Sequence, residues 1–114
     1  MIINEDKLKN CDAMICNLAL VLESKYNEIK ITSGYRSPEY NAKVGGAKHS
    51  QHILGKAIDV IVKDVSPIKV AAFVLDNAPA VNGFGIDVYK GYVHLDVREG
   101  KKTYWVYGRN GKTA

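Results

Sequence analysis

The sequence contains little cysteine, which excludes two ways of stabilising a small protein. Its 114 residues include two cysteines, too few for a disulfide framework or for a zinc site closed by four thiolates. Cys11 and Cys16 lie five positions apart in a predicted helix, where their side chains point in different directions. We therefore expect two free or buried thiols and a fold that depends on its apolar core.

Long apolar runs are also lacking. No run of about 18 apolar residues occurs, so the sequence predicts no membrane-spanning helix. Residues 1–6 lack the charged and apolar regions of a signal peptide. The net charge of +4 is mild, and no basic cluster is interleaved with aromatic residues. Nucleic acid is therefore not an expected partner.

What is present is the composition of an ordinary globular protein, with 46% hydrophobic and 25% charged residues. We interpret residues 1–114 as a single domain and expect a monomer. Helices are predicted where apolar residues recur at helical spacing and where Ser-Pro opens a segment, over residues 5–27 and 66–77. Strands are predicted over residues 29–35, around residue 59, over 83–89 and 92–98, and over 104–107. This order predicts an α+β fold with a mostly antiparallel sheet and helices packed on one face.

Two residues beside a glycine turn favour a metal site. His52 and Asp59 flank Gly55, and Asp59 lies in the apolar run 57–62, which predicts a buried strand. A buried ionised carboxylate is costly unless it is paired or binds a metal. For Asp59 alone, a salt bridge to a nearby Lys or Arg explains the pattern as well as metal ligation does.

His94 strengthens the metal interpretation. Apolar and polar residues alternate over residues 92–98, so the polar ones share one strand face. They are Tyr92, His94, Asp96 and Arg98. Taken alone, His94 fits an incidental histidine on a solvated sheet. Together with His52 and Asp59 it supplies two imidazoles and a carboxylate, which suit a zinc ion that keeps one position open for catalysis.

The same residues fit a known pattern: S-x-H, then G-x-A-x-D, then a distant histidine on a strand, with S-G-Y-R-S upstream. It is filled here by Ser50, His52, Gly55, Ala57, Asp59 and His94, and by Ser33-Gly34-Tyr35-Arg36-Ser37. Over about residues 29–105 the chain resembles the zinc D-alanyl-D-alanine carboxypeptidase family, especially small single-domain cell-wall peptidases of bacteria and phages. The resemblance implies a hedgehog/DD-peptidase fold and a Zn²⁺ held by His52, Asp59 and His94. It also implies hydrolysis near D-amino acids in the stem peptides of peptidoglycan.

The resemblance assigns a catalytic role to Arg36 as well. A cation there would stabilise the oxyanion of the tetrahedral intermediate. The alternative is a structural ion pair, for example with Glu39.

The general base departs from the family pattern. Many relatives have Glu or Asp three residues before the last zinc histidine, or a histidine two residues before it, and here these positions are Gly91 and Tyr92. We predict Asp96 as the base because it shares a strand face with His94. Its alternative role is to hold a ligand histidine by the ring nitrogen that does not bind metal. Asp87 is the second candidate for the base.

For several other residues a structural role explains the sequence as well as a functional one does. Ser50 is predicted to bind the substrate backbone or to support His52, unless its hydroxyl only caps the local loop. His49 is expected at the surface, and Trp105 either floors the substrate cleft or belongs to the core. Basic residues near the C-terminus either attract an anionic cell wall or form a solvated tail. These are Lys101, Lys102, Arg109 and Lys112.

Because Gly91 replaces the Glu or Asp base of many relatives, the sequence is also consistent with a second function. A chain that retains the fold and the zinc, but lacks the base, would be a non-catalytic module that binds the cell wall or a partner. For an enzyme without a signal peptide, access to the wall would require lysis or assisted export.

Overall fold

The computed structural model describes residues 1–113 and contains one mixed sheet, three α-helices and a short 3-10 helix. The 3-10 helix covers Glu5–Leu8. The α-helices are α1 (Ala13–Tyr26), α2 (Pro38–Lys43) and α3 (Pro67–Asn77). The strands are β1 (Ile2–Ile3), β2 (Ile29–Ser33), β3 (Ala57–Ile61), β4 (Gly83–Asp87), β5 (Tyr92–Asp96) and β6 (Thr103–Val106). In the described part of the chain, no helix has the length and apolar character needed to cross a bilayer.

The sheet has the strand order β1-β2-β3-β5-β4-β6. The three inner pairings are antiparallel, but β1 pairs with β2 and β6 pairs with β4 in parallel. The prediction of an α+β fold is confirmed, whereas a mostly antiparallel sheet is only partly right. At one edge the reason is the crossover through α1, because a connection that carries the chain back over the sheet leaves its two strands parallel.

The two faces of the sheet differ in polarity. On one face, Ile58, Val60, Val93 and Leu95 are fully or almost fully buried against apolar residues of α1 and α3. We call this the core face. It follows from the alternation of apolar side chains along β3 and β5, which places every second residue on the same side. The long helices therefore pack on one face, as the sequence predicted.

The opposite face, called here the polar face, carries a row of residues set by the strand register. Asp59 pairs with Ser33 on one side and with His94 on the other, and Gly85 lies next to His94, followed by Trp105. Gly85 is required here, because a Cβ at this position would lie 2.5 Å from Trp105 Nε1. The glycine therefore lets the indole ring lie across β4 towards His94.

The single helix predicted over residues 5–27 is wrong in its first third. The 3-10 helix ends at Leu8, Asn10 adopts a left-handed φ of 66°, and α1 starts only after Asp12, whose side chain accepts a hydrogen bond from Met14 N. Helical spacing alone does not reveal such a break. The turn at Gly55 packs against this break between the two helices. Asp12 N donates to Gly55 O at 2.7 Å, and a Cβ on Gly55 would lie 2.5 Å from Asn10 O.

The starts of the proline-led helices agree with the sequence patterns, whereas the strands predicted over residues 29–35, 83–89 and 92–98 each end two residues earlier. Ser66 caps α3 and Ser37 caps α2, each followed by proline at the first helical position. The hairpin between β4 and β5 turns at residues 88–91. Cys11 and Cys16 are both free and partly buried, as expected.

Candidate metal centre

An open cleft of about 820 Å³ lies over the polar face. Its walls come from the loop over residues 44–52, from β5 and β6, and from residues 111–113 near the C-terminus. The three predicted metal ligands, His52, Asp59 and His94, all line this cleft.

These three side chains converge on one point. Asp59 Oδ1 lies 3.3 Å from His52 Nε2 and 3.0 Å from His94 Nδ1. One ligand atom from each residue lies within 4.8 Å of the other two, and all three residues are buried, with relative exposures of 2% to 7%. The structure therefore brings together the set that the sequence predicted.

Both rings are anchored on the side that faces away from this point. His52 Nδ1 lies 2.7 Å from the carbonyl oxygen of Gly34, and His94 Nε2 lies 2.8 Å from Asp96 Oδ2. A carbonyl oxygen only accepts, so Nδ1 of His52 carries the proton and its Nε2 presents a lone pair. The Asp96 carboxylate is also an acceptor, so a neutral His94 carries its proton on Nε2 and its lone pair on Nδ1.

This arrangement fits a cation between the three residues. His52 Nε2 is buried and has no hydrogen-bond partner within residues 1–113. Two lone pairs and a carboxylate facing one another are unfavourable without a positive charge among them. Two imidazole nitrogens and a carboxylate oxygen are suitable ligands for a divalent transition metal such as zinc.

The pKa values in the site reflect the same need for positive charge. Burial by itself raises the pKa of Asp59, but the adjacent imidazole rings of His52 and His94 outweigh it and hold the pKa well below the usual range. Burial lowers the pKa of His94, but its hydrogen bonds with Asp59 and Asp96 raise it to about 8. Without a metal, a proton on the imidazole supplies the positive charge.

Asp96 lies behind His94 rather than beside the ligand atoms. It is fully buried, and Arg98 holds both of its oxygens, with Nε and Nη2 each donating at 2.8 Å. A Cβ on Gly83 would lie 2.2 Å from these oxygens, so the glycine makes room for the carboxylate. Burial raises the pKa of Asp96, but the bonds from Arg98 and His94 lower it below the usual range. An ionised acceptor is thus fixed against His94 Nε2.

Neither predicted base lines the cleft. Asp96 is buried behind His94. Asp87 Oδ1 accepts hydrogen bonds from Tyr89 N at 3.0 Å and Lys90 N at 2.8 Å in the hairpin turn. Among the described residues Asp59 is the one carboxylate in the cleft wall. Asp96 instead contacts His94, one of the three predicted metal ligands.

Arg36 lies at the edge of the ligand set. Its Nε donates to Ser33 Oγ at 3.1 Å and its Nη1 donates to Asn41 Oδ1 at 3.2 Å. Nη2 lies 3.8 Å from Asp59 Oδ2, too far for a good hydrogen bond. Within residues 1–113 Arg36 forms no ion pair with Glu39, and the ion pair that it does form is this long one with Asp59. The guanidinium is held by two neutral partners while it lines the cleft.

The structure also gives the positions of Ser50, His49 and Trp105, for which the sequence allowed an ordinary structural role. Ser50 Oγ accepts a hydrogen bond from His52 N at 3.1 Å, so it caps the loop next to a ligand while lining the cleft. His49 is exposed, as expected. Trp105 lines the cleft instead of the core, with its ring centroid 5.2 Å from that of His94.

Part of the cleft wall has no clear signal in the sequence. Tyr107 lies beyond the last strand, and its ring centroid is 5.6 Å from that of Tyr92 in the wall. Arg98 stacks over Trp105 at 5.0 Å while holding Asp96. The alternation in β5 already placed Arg98 on the polar face, but no local pattern indicated its partner.

The basic residues near the C-terminus do not form one patch or one solvated tail. Lys102 Nζ donates to Val81 O at 2.7 Å and to Pro79 O at 3.2 Å, so it is a structural contact. Arg109 stacks on Tyr89 at 5.2 Å. Lys112 lines the cleft.

Fold and site together define a class of protein: a small α+β domain with a buried set of two histidines and an aspartate in the wall of an open cleft, as in metal-dependent hydrolases. A family model described as Peptidase M15 matches residues 4–96. The chain belongs to this family, and the family resemblance seen in its motifs is confirmed.

A curated relative is a probable peptidoglycan L,D-endopeptidase, MepK, of Haemophilus influenzae. The two are 34% identical over 87 residues, which covers 70% of this chain and 45% of that protein. The chain thus matches less than half the length of this relative. No solved structure matches, so the likeness of the fold to the hedgehog domain stays a prediction.

Proposed function

We propose that this chain is a single-domain, zinc-dependent peptidase that hydrolyses peptide bonds near D-amino acids in peptidoglycan stem peptides. One observation carries the proposal: two imidazole lone pairs and a buried carboxylate meet at the wall of an open cleft, in a member of a peptidase family. The name of the relative from Haemophilus influenzae supports the substrate and favours an endopeptidase over a carboxypeptidase.

His52, Asp59 and His94 would hold the metal, and the open cleft leaves room for a substrate beside it. A bound zinc ion supplies Lewis-acid chemistry and a reactive water near neutral pH. The protein's own contribution is to keep the two rings in the required tautomers, through Gly34 O and Asp96.

Arg36 is proposed to stabilise the oxyanion. Its Nη2 faces the ligand set without a close acceptor, while Ser33 and Asn41 fix the rest of the guanidinium. A donor that is positioned in advance loses no free energy to reorganisation when negative charge develops on the substrate. Ser50 is proposed to contact the substrate backbone from the loop that delivers His52.

Asp96 is proposed as a positioning residue for His94. Asp96→Asn is expected to weaken zinc affinity by about ten- to a hundredfold, because the amide is a poorer acceptor for the Nε2 proton. Titration with zinc against a competing chelator measures this affinity directly. Activity should return at saturating zinc.

Asp76→Asn is the matched control, because Asp76 is exposed on α3 and forms no salt bridge within residues 1–113. If Asp96→Asn kept its full zinc affinity and lost turnover by roughly two orders of magnitude or more, Asp96 would be the general base after all.

A non-catalytic binding module is the second candidate. The observation that favours it is the absence of a second carboxylate from the described cleft wall. In the sequence, Gly91 and Tyr92 stand in the positions where relatives have their bases. Such a module would keep the metal and bind the same peptides without cleaving them.

Mass spectrometry of products separates the two candidates. The zinc-loaded protein is incubated with purified peptidoglycan fragments whose stem peptides are defined. A peptidase yields two fragments whose masses add up to the mass of the substrate plus one water, and the individual masses identify the bond that is cut. Binding of the fragments to metal-loaded protein without any product would favour the module.

A further inference from the structure

Two lysines at the rim of the cleft have no role in the site described above. Lys90 lies in the turn between β4 and β5, and Lys112 lies in the C-terminal loop, defined here as residues 108–113. Lys112 O accepts a hydrogen bond from Gly108 N at 2.7 Å, and Thr113 forms a bridge with Tyr107. These contacts bring the C-terminal loop back to the cleft.

The two loops adjoin each other. A Cβ on Gly111 would lie 3.1 Å from Lys90 Nζ, so the ammonium group packs directly against the C-terminal loop next to Lys112. Lys90 and Lys112 both line the same cleft as the ligand set. Two basic residues on adjoining loops therefore stand at one part of its rim.

The two ammonium groups have no salt-bridge partner in the described part of the chain. Neither Lys90 nor Lys112 forms a salt bridge there, and Asp59, the one carboxylate in the cleft wall, belongs to the ligand set. An anionic group of a ligand at this part of the rim would supply the ionic partner that both lysines lack.

We propose that Lys90 and Lys112 form a subsite for a carboxylate of the peptide substrate. The inference rests on the proposed function and extends it to a substrate class: peptides with a free carboxylate near the scissile bond, in preference to their amidated forms. Tyr92 and Tyr107, which line the cleft next to these loops, supply apolar contact area for the rest of the peptide.

Equilibrium binding tests this without requiring turnover. Trp105 is the single tryptophan of the chain and lines the cleft, so its fluorescence reports a peptide bound there. The probes are the tetrapeptide L-Ala-γ-D-Glu-L-Lys-D-Ala with both α-carboxylates free, and the forms with either one or both converted to amides. Rapid mixing with zinc-loaded protein records binding before hydrolysis.

The wild type is expected to bind the free acid about tenfold more tightly than the diamide, since each exposed ion pair contributes at most several-fold. The two monoamides show which carboxylate the lysines bind. Lys90→Gln/Lys112→Gln should remove this preference by weakening the acid alone. Both changes preserve the backbone hydrogen bonds of the two loops, which involve no lysine side-chain atom.

Lys63→Gln/Lys101→Gln is the control, because it removes the same charge from exposed lysines outside the cleft. Equal affinity of the wild type for acid and diamide would overturn the inference. So would an unchanged preference in the Lys90/Lys112 variant, or no binding of any of the four peptides. A protein that binds the acid selectively and never cleaves it would support the subsite and refute the peptidase.

Discussion

His52→Ala, Asp59→Ala and His94→Ala are each expected to lose bound metal and with it all measurable hydrolysis. Each change removes one of three converging ligand atoms. If the three share a binding free energy of about 10–16 kcal/mol, each loss weakens affinity by at least two to three orders of magnitude. Elemental analysis of the purified variants measures this, and the wild type should contain about one zinc per chain.

His49→Ala is the matched control for this set. His49 also lines the cleft but is exposed and lies outside the ligand set, so this variant should keep its zinc. Full zinc content in any two of the three ligand variants would contradict the assignment, as would loss of zinc from His49→Ala. The analysis should include iron, because two histidines and one carboxylate also bind Fe²⁺ in some enzymes.

Arg36→Ala should keep its zinc but lose turnover by about a hundredfold or more, the usual effect of removing an oxyanion donor. Arg36→Lys should restore little, because the guanidinium uses three of its nitrogens in fixed directions towards Ser33, Asn41 and the ligand set. The measurement is kcat at saturating zinc, with metal content determined on the same samples.

A structural role for Arg36 predicts a different result. The two hydrogen bonds that hold it link Ser33 in β2 to Asn41 in α2 through the guanidinium, so losing them would lower the unfolding temperature. If Arg36→Ala unfolded more easily while its folded fraction retained normal turnover, Arg36 would be a structural residue. Ser33→Ala offers a milder comparison, since it removes one of the two bonds and leaves the guanidinium in place.

The ligand set could be predicted from the sequence because each ligand carries a local signal. Asp59 is a charged residue in an apolar run, and His94 lies on the polar side of an alternating strand. The strand register then places Asp59 next to His94. Motif spacing supplied His52, which lies in a loop whose path no periodicity describes.

What the sequence left undecided depends on orientation and on distant contacts. Alternation shows that Asp96 and His94 share a face, but not that Asp96 meets the ring nitrogen turned away from the cleft. A two-residue strand such as β1 has too little periodicity to be recognised. The C-terminal loop returns to the cleft through turns and one bridge, with no apolar pattern to indicate its path.

The role of Gly83 illustrates the same limit. A glycine in a predicted strand indicates a close approach of some neighbour, yet the neighbour is the Asp96 carboxylate on the adjacent strand. Only the register of β4 with β5 identifies it. The contact between Asp96 and His94, and the space that Gly83 leaves for it, can therefore be identified only from the three-dimensional structure.

The most direct test of the account is release of new amino groups from purified peptidoglycan by the wild-type protein, measured before and after chelation and again after zinc is restored. We expect release by the native protein, none after chelation, and recovery with about one equivalent of zinc. The Asp59→Ala protein should release none in any of the three conditions. Release that persists after complete removal of metal, or from Asp59→Ala, would contradict the proposal of a peptidase that works through this metal centre.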